Sequence, residues 1–214
     1  MKNQIALQIP KAQAGQRIGL FGGSFNPPHE GHLLVAKTAI ERLNLDALWW
    51  MITPGNPIKD KSNLLSLEKR VDASHQLIQN DKNPDYNDKI IITAFEACLN
   101  TTYSAQVIDK ICAYYPSVYF SWIMGADNLA SFHLWHQWRD ICEKIPIAVI
   151  NRPNTEEAAL SSPFFKAYQH KRIDEAQAKN LNLMKPPAWV YVHGPLSSLS
   201  STVLRQNANL SFDK

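Results

Sequence analysis

The chain has 214 residues, and its hydrophobic fraction of 45% and charged fraction of 19% describe an ordinary globular protein rather than a disordered or fibrous one. Its formal net charge of +3 is too small for the strongly basic face that nucleic-acid binding requires, so we expect no nucleic-acid partner. No apolar run approaches the roughly 18 residues of a membrane-spanning helix, and the start lacks a signal peptide's apolar core, so we expect no membrane partner and a cytoplasmic location.

Short apolar runs alternate with longer amphipathic ones, a pattern typical of β-α units that build a parallel sheet. Strands are predicted over residues 17–22, 47–53, 89–95, 118–124, 145–151 and 188–193. Helices are predicted over residues 29–43, 66–80, 105–115 and the region 127–144, with weaker segments at 162–170 and 174–184 and a last short helix near Ser201. The predicted fold class is therefore α/β, a Rossmann-like, doubly wound parallel sheet of about six strands with α/β/α layering.

The chain shows no internal repeat and no linker long enough to divide it. Because a chain of this length can bury enough surface to fold alone, we predict a single domain over residues 1–214. Residues 1–15 are expected to form a flexible N-terminal extension, and the segment 156–183 looks peripheral. In open sheets of this kind ligands bind beyond the carboxyl ends of the strands, so the site is expected there.

The segment GLFGGSFNPPHEGH follows the first predicted strand and opens the first predicted helix. Gly22, Gly23 and Ser24 leave backbone N–H groups uncovered, so a phosphate can approach the main chain and the positive end of the helix. His29 and His32, three residues apart, then project from one face of the first helical turn. The alternative interpretation is a tight turn with two helix-capping histidines, which leaves much of this composition without a reason.

Gly31 lies on another face of the same helical turn, where the lack of a side chain would admit a flat group such as a nucleotide base.

Transfer of AMP builds negative charge on the α-phosphate and on the departing pyrophosphate, and it needs positioned donors rather than a nucleophile. Two imidazoles beside a backbone phosphate cradle meet that need. The segment matches neither a Walker loop nor the dinucleotide spacing G-x-G-x-x-G.

A second group of anion-binding residues lies near the end of the chain, in LSSLSSTVLR. Ser201 and Thr202 can cap a helix and also bond phosphate oxygens, and Arg205 can offer a forked donor to the same anion. Alone, such a run is more often a simple cap. Together with the first turn it predicts a second phosphate clamp at the same edge of the sheet.

The motifs GGSFNPPHEGH and SSTVLR resemble the H-x-G-H and S-S-T-x-x-R signatures of the nucleotidyltransferase superfamily. The whole chain resembles the bacterial nicotinate-nucleotide adenylyltransferases, and TPGNPIKDK, TTYSAQVID, MGADNLASFHLWHQW and INRP agree with that family. The resemblance implies a nucleotidyltransferase domain in which His29 and His32 contact the ATP phosphates as catalytic residues. Two departures stand out, Asn26 where many members have Asp and Ile58 where many have His.

The resemblance also implies the other site residues. Those expected to bind ATP and its phosphates are Gly22, Gly23, Ser24, Phe25, Lys59, Ser201, Thr202 and Arg205. Those expected near the ribose and adenosine are Gly31, Gly125 and Asp127. Those expected to bind the pyridine substrate are Ser104, Trp135 and His136, with the ring stacked on the tryptophan.

The activity implied by the resemblance is adenylyl transfer from ATP to nicotinate mononucleotide, which gives nicotinate adenine dinucleotide and pyrophosphate in NAD biosynthesis. The expected mechanism is in-line attack with no covalent intermediate. Mg²⁺ is expected on the ATP phosphates and no protein metal site is expected, because the sequence shows no acidic cluster. The open alternatives are nicotinamide mononucleotide or another phosphorylated acceptor, and a non-catalytic dinucleotide-binding module. Both a monomer and a homo-oligomer are compatible with the sequence.

Three weaker signals concern large or charged side chains. Trp49 and Trp50 lie inside a predicted strand and are expected in the core. Trp138 lies three residues after Trp135 on an apparent helix, and both a core and a site position stay open for it. Lys69 and Arg70 are expected on a solvated helix face, from which either could add positive field near the phosphates.

Overall fold

In the computed structural model, which describes residues 7–55, 64–99, 101, 103–153 and 155–195, six parallel strands form one open sheet. The strands are β1 Arg17–Gly23, β2 Ala47–Ile52, β3 Ile90–Thr93, β4 Tyr119–Gly125, β5 Ile147–Ile150 and β6 Trp189–Val192. Their order across the sheet is β3-β2-β1-β4-β5-β6. The predicted Rossmann-like fold is confirmed, and every predicted strand agrees with the structure to within two residues at each end.

Helices connect the strands and cover both faces of the sheet. The α-helices are α1 Glu30–Arg42, α2 Leu67–Gln79, α3 Ser104–Tyr114, α4 Leu129–Phe132, α5 Trp138–Lys144, α6 Glu156–Ser161 and α7 Pro163–Tyr168. Short 3₁₀ helices span Asn87–Lys89, Phe95–Cys98, Ala126–Asn128, Gln169–Lys171 and Glu175–Leu183. The helices predicted at residues 29–43, 66–80 and 105–115 correspond to α1, α2 and α3.

The sheet is buried on both faces because apolar side chains of successive strand residues enter two separate cores. Trp49 and Trp50 show this directly, since both are fully buried and they pack in different clusters. One core lies under α1, α2 and the 3₁₀ helix Glu175–Leu183, and the other lies under α3 to α7. The prediction that both tryptophans are core residues is confirmed.

The region 127–144 does not form the continuous helix that its apolar spacing predicts. A 3₁₀ turn and α4 are followed by a non-helical stretch at residues 133–137, and α5 begins only at Trp138. Gln137, just before α5, has a φ of 53°, in the left-handed region that an α-helix cannot contain. Trp135 therefore lies in a bend, whereas Trp138 is 8% exposed and packs in the core.

The segment 156–183 is not peripheral, contrary to the expectation from sequence. Phe164 and Tyr168 of α7 are buried beside Trp189 of β6, whose indole N–H donates to the Tyr168 carbonyl at 2.7 Å. Asn182 is 3% exposed, and its amide donates to the Ser121 hydroxyl of β4 at 3.1 Å. The segment thus closes both cores at the β5–β6 side of the sheet.

Residues 7–15, predicted to belong to a flexible extension, contact the segment between α3 and β4 and the core under α3. The backbone N–H of Gly15 donates to the Ser117 carbonyl at 2.7 Å. The Tyr115 hydroxyl donates to the Pro10 carbonyl at 3.0 Å, and Ile9 packs against the core under α3. Over this stretch the chain before β1 is anchored at several points.

Within the described ranges, no helix has the length and apolar character needed to cross a membrane.

A buried carboxyl follows β3. Glu96, in the 3₁₀ helix Phe95–Cys98, is 4% exposed, and burial raises its pKa from 4.5 to about 8. The folded state therefore keeps a proton that the unfolded chain releases, so the free energy of unfolding falls as the pH rises from about 4.5 through about 8.

We expect Glu96→Gln, which is neutral at every pH, to match the wild type in stability near pH 5 and to exceed it near pH 9 by about 2 to 4 kcal/mol. Urea unfolding of both proteins at the two pH values measures the difference. Stability curves that stay parallel between these pH values would show that the carboxyl does not carry a raised pKa.

Candidate active site

The carboxyl ends of β1 and β4 lie side by side at the middle of the sheet, where the strand order reverses. Phe21 of β1 pairs with Ile123 of β4 in parallel register, so the residues that follow the two strands meet at one edge. A crevice at such a switch point is where open α/β sheets bind ligands. The glycine-rich end of β1 with the turn that follows it, and the Gly125–Asp127 segment at the end of β4, both lie at this edge.

The last residues of β1 and the turn that follows them, residues 22–26, form the predicted phosphate turn, which combines an open surface with a tightly packed underside. Gly22, Gly23 and Ser24 are partly exposed, as a backbone phosphate site requires. A Cβ at position 22 would lie 2.7 Å from Cη2 of Trp122, which is buried on β4. The absence of a side chain at Gly22 is therefore what lets the turn lie directly on the Trp122 indole.

Phe25 anchors this turn in the core. Its φ of 44° lies in the left-handed region, an unusual conformation for a bulky residue that persists only when its surroundings hold it. The ring is 3% exposed and packs on Trp50 at a centroid distance of 4.6 Å and on His32 at 5.0 Å. Because the ring points inward, Phe25 can offer a phosphate only its main chain.

His29 and His32 lie together at the start of α1, as their spacing predicts. Their ring centroids are 3.7 Å apart and their planes are inclined by 33°. The backbone N–H of His29, the N-cap residue, donates to Nδ1 of His32 at 3.3 Å. Since Nδ1 of His32 accepts this bond, a neutral His32 carries its proton on Nε2.

His29 is uncharged at neutral pH. It is 4% exposed, and burial, aided by the positive charge of Arg152, lowers its pKa from 6.5 to about 4. Its Nδ1 has no hydrogen-bond partner in the part of the chain that the structure describes. A buried polar atom without a partner is typical of a binding site, where a ligand supplies the missing hydrogen bond.

Arg152, two residues after β5, joins the start of α1 to the turn that follows β4. Its Nη1 donates to the carbonyl of Gly31 at 3.1 Å, and its Nε lies 3.9 Å from Oδ1 of Asp127. A Cβ on Gly125 would collide with the same Asp127 oxygen and would lie 3.4 Å from Cγ of Arg152. Gly31, Gly125 and Asp127, predicted on the adenosine side, are therefore brought together, and Arg152 is a member of the group that the sequence analysis missed.

Residues 20–207 match the cytidylyltransferase-like family model. A protein of Agrobacterium fabrum named "Probable nicotinate-nucleotide adenylyltransferase" is 53% identical over 190 residues, which cover 89% of this chain and 98% of the relative. A Rhizobium meliloti protein of the same name is 50% identical over 188 residues, covering 88% of this chain and 96% of the relative. The chain belongs to the nicotinate-nucleotide adenylyltransferase family.

A solved structure agrees with the fold of this chain. The Plasmodium falciparum nicotinic acid mononucleotide adenylyltransferase, complexed with NaAD, superposes with a TM-score of 0.67 at 20% identity. The superposition covers 89% of this chain and 83% of that one. At this identity the likeness shows that the two chains share the α/β architecture.

Two of the residues predicted on the pyridine side, Ser104 and His136, lie at the start of α3. His136 is exposed and lies against Tyr103, with ring centroids 4.3 Å apart, and Ser104 is the next residue along the chain. Trp135 is half-buried, with its ring edge-on to Phe132 at 5.3 Å and to Trp122 at 6.1 Å. Tyr103 completes this aromatic cluster and was missed from sequence.

Four predicted phosphate-binding residues, Lys59, Ser201, Thr202 and Arg205, lie outside the described residues, as does Ile58. The described chain ends beside the middle of α1, since a Cβ on Gly194 after β6 would lie 2.7 Å from Cγ2 of Thr38. Asn26, the other departure from the family pattern, is 8% exposed, and its Oδ1 accepts from the backbone N–H of Leu65 at 3.0 Å. Asn26 therefore ties the phosphate turn to the loop before α2.

Arg70 is the second important residue that the sequence analysis misjudged. It was expected on a solvated helix face, but it is 1% exposed and hydrogen-bonds to the main chain of the phosphate turn at Ser24. Lys69, its neighbour, is exposed as expected. The signal was present in the sequence, because Arg70 shares the helical spacing of Leu67, Val71 and Ser74.

Proposed function

We propose that the protein transfers the AMP part of ATP to nicotinate mononucleotide, forming nicotinate adenine dinucleotide and pyrophosphate, a step of NAD biosynthesis that we assign to the cytoplasm as the sequence predicts. The observation that carries the proposal is the pair of adjacent imidazoles, with ring centroids 3.7 Å apart, at a partly exposed glycine turn on the switch point of the sheet. Close relatives with the name nicotinate-nucleotide adenylyltransferase support the choice of acceptor.

In this reaction an oxygen of the acceptor's 5′-phosphate attacks the α-phosphorus of ATP. A new P–O bond forms as the bond from the α-phosphorus to the bridging oxygen breaks, and that oxygen leaves with the pyrophosphate. No protein nucleophile is needed, and the described site offers donors rather than a nucleophile-base pair. The Nε2–H of His32 and the backbone N–H groups of the turn are suited to meet the negative charge that grows on the transferred and departing phosphates.

The low pKa of His29 determines how it can act. A neutral imidazole donates one hydrogen bond and accepts one, so His29 orients a phosphate by hydrogen bonding rather than by a full positive charge. The positive charge on this side comes from Arg152, which also lowers the pKa of His29. The site therefore divides the two tasks between a fixed cation and a neutral donor.

Mg²⁺ belongs to the proposal as part of the MgATP substrate, where it would neutralise phosphate charge. Among the described residues, no group of three or more His, Cys, Asp or Glu side chains is arranged to hold a metal ion. The Asp127 side chain is 53% exposed and its Oδ1 faces Arg152, so one carboxylate at most could meet a metal water there. Such a donor set suits an ion that keeps most of its waters.

The decisive experiment measures pyrophosphate release from MgATP with nicotinate mononucleotide and nicotinamide mononucleotide supplied separately. We expect rapid release and a dinucleotide product with the acid. Preference for the amide would change the proposed acceptor. Dinucleotide binding without pyrophosphate release from either acceptor would indicate a non-catalytic binding module and overturn the proposal.

Trp135→Ala tests the acceptor side. If the pyridine ring stacks on this half-buried indole, the variant should raise KM for nicotinate mononucleotide about tenfold and leave KM for ATP within about twofold, since stacking of a base on an aromatic side chain contributes about 1 to 3 kcal/mol. Initial rates with each substrate varied in turn provide both constants. Leu134→Ala, next in the chain and 58% exposed, is the control, and equal effects of the two substitutions would remove Trp135 from the pyridine site.

A further inference from the structure

Arg70 is a fully buried cation that bonds to three loops at once. Its Nη1 donates to the Ser24 carbonyl at 2.8 Å and to the Thr53 carbonyl at 2.7 Å. Its Nη2 donates to the Pro54 carbonyl at 3.3 Å, and its Nε to the Leu65 carbonyl at 3.0 Å. One guanidinium thus holds the phosphate turn after β1, the loop after β2 and the loop that enters α2.

No carboxylate among the described residues forms a salt bridge with Arg70, whose partners are all neutral carbonyl oxygens. Burial lowers the pKa of the guanidinium and Glu68 opposes the change, but an arginine side chain stays charged at neutral pH. Arginine is almost never fully buried without a charged partner. Glu68 acts on this charge only through space, and the guanidinium itself bonds to the main chain at the underside of the turn.

The turn needs such fixation because its backbone is strained. Phe25, the residue after Ser24, has a φ of 44°. The bond from Arg70 to the Ser24 carbonyl holds one side of that residue, and the bond from the Leu65 N–H to Asn26 holds the other. Leu65 bonds to Arg70 through its carbonyl and to Asn26 through its N–H, so the three loops form one hydrogen-bonded unit.

We infer that Arg70 is a positioning residue for ATP: it fixes the main chain of the turn at Ser24 in the conformation that binds phosphate, and it adds a positive charge behind that surface. The inference rests on the proposed function, in which this turn holds the ATP phosphates. It separates Arg70 from the acceptor side, because no described contact joins it to Trp135, Ser104 or His136.

Two variants separate geometry from charge. Arg70→Lys keeps the charge but cannot reproduce the fork that reaches several carbonyls, and Arg70→Met keeps a long side chain without charge. We expect Arg70→Lys to raise KM for ATP about tenfold, as expected for lost bonds to a charged group, with KM for the mononucleotide within about twofold. Arg70→Met should show a larger ATP defect. Lys69→Met, which removes one exposed charge from the same helix, should behave as the wild type.

Binding without turnover provides the independent measurement. In thermal unfolding, MgATP alone should raise the melting temperature of the wild type and of Lys69→Met, and much less that of Arg70→Lys at the same concentration. If Arg70→Met does not fold, the Lys variant decides. An undiminished MgATP shift in Arg70→Lys, or an equal rise of both KM values, would overturn the inference. If the wild type releases no pyrophosphate but MgATP still raises its melting temperature, and much less that of Arg70→Lys, the proposed function would be refuted and the role of Arg70 in ATP binding supported.

Discussion

His32→Ala should lower the turnover of adenylyl transfer on the order of a hundred- to a thousandfold, the effect of deleting one donor to a developing oxyanion. The expected loss is large because His32 carries its proton on Nε2 while its Nδ1 accepts the His29 N–H at 3.3 Å, so a donor of fixed tautomer is removed. Its ring also packs on Phe25 and on His29, and these contacts hold the donor in place.

The variant should stay folded, because losing the bond to the N-cap residue costs only about 1 kcal/mol. Initial rates of pyrophosphate release, measured alongside thermal unfolding, separate a chemical loss from a folding loss. His170→Ala, at an exposed histidine of the 3₁₀ helix Gln169–Lys171, is the matched control and should match the wild type in both assays. A His32→Ala rate close to that of His170→Ala would exclude His32 from the mechanism.

The fold could be predicted from sequence because burial on both faces leaves a strong local signal. In β2 all six residues are buried, and the run ALWWMI has no polar position that a helix surface would need. The turn after β1 could be predicted for a related reason. Its glycines, prolines and histidines serve neither core packing nor regular secondary structure, so they stood out against the apolar run before them.

The break between α4 and α5 could not be predicted, because no glycine or proline marks it. The left-handed conformation falls on Gln137, a residue that is compatible with a helix, and the apolar spacing of Phe132 and Trp138 continues across the break. Tertiary packing decides the local structure here, since both side chains enter the core with Phe164. The break is what puts Trp135 in a bend instead of on a buried helix face.

The two arginines of the site show two different limits of sequence analysis. Arg152 bonds to Gly31, which lies 121 residues earlier in the chain, and only the sheet order brings them together. Arg70 was visible as a residue on the apolar face of α2, but a charge between apolar positions is usually an exposed one. What made its burial possible is a set of carbonyl groups at loop ends, which composition and spacing do not reveal.

Binding of the proposed triphosphate substrate does not require a net charge above +3, because a few well-placed donors can supply the positive charge locally. Two buried or nearly buried arginines lie behind the turns after β1 and β4, and the imidazole nearest to Arg152 is kept neutral. Preorganised donors of this kind act more strongly than mobile surface charges, because they need little rearrangement when charge develops. The positive field is thus concentrated at the switch point rather than spread over the surface.

Gly22→Ala should lower adenylyl transfer on the order of a hundredfold, because a displacement of the phosphate turn by an ångström is enough for a loss of that size. The new Cβ would lie 2.7 Å from Cη2 of Trp122, a rigid ring in the core that cannot move away, so the turn must shift instead. Overpacking of this kind should also reduce the free energy of unfolding by about 1 to 3 kcal/mol.

Gly19→Ala distinguishes the loss of activity caused by displacement of the turn from the loss of stability caused by overpacking. Its Cβ would lie 2.7 Å from Cδ1 of Leu45, so it overpacks the same strand, but on the other face and away from the turn. It should lose stability and keep its turnover. Trp122→Phe removes the ring carbons that the new Cβ would meet, so combining it with Gly22→Ala should restore part of the activity. As a single substitution, Trp122→Phe should lower stability. Additive losses in the double variant would mean that the turn does not depend on its contact with Trp122, and that the glycine is required by the ligand instead.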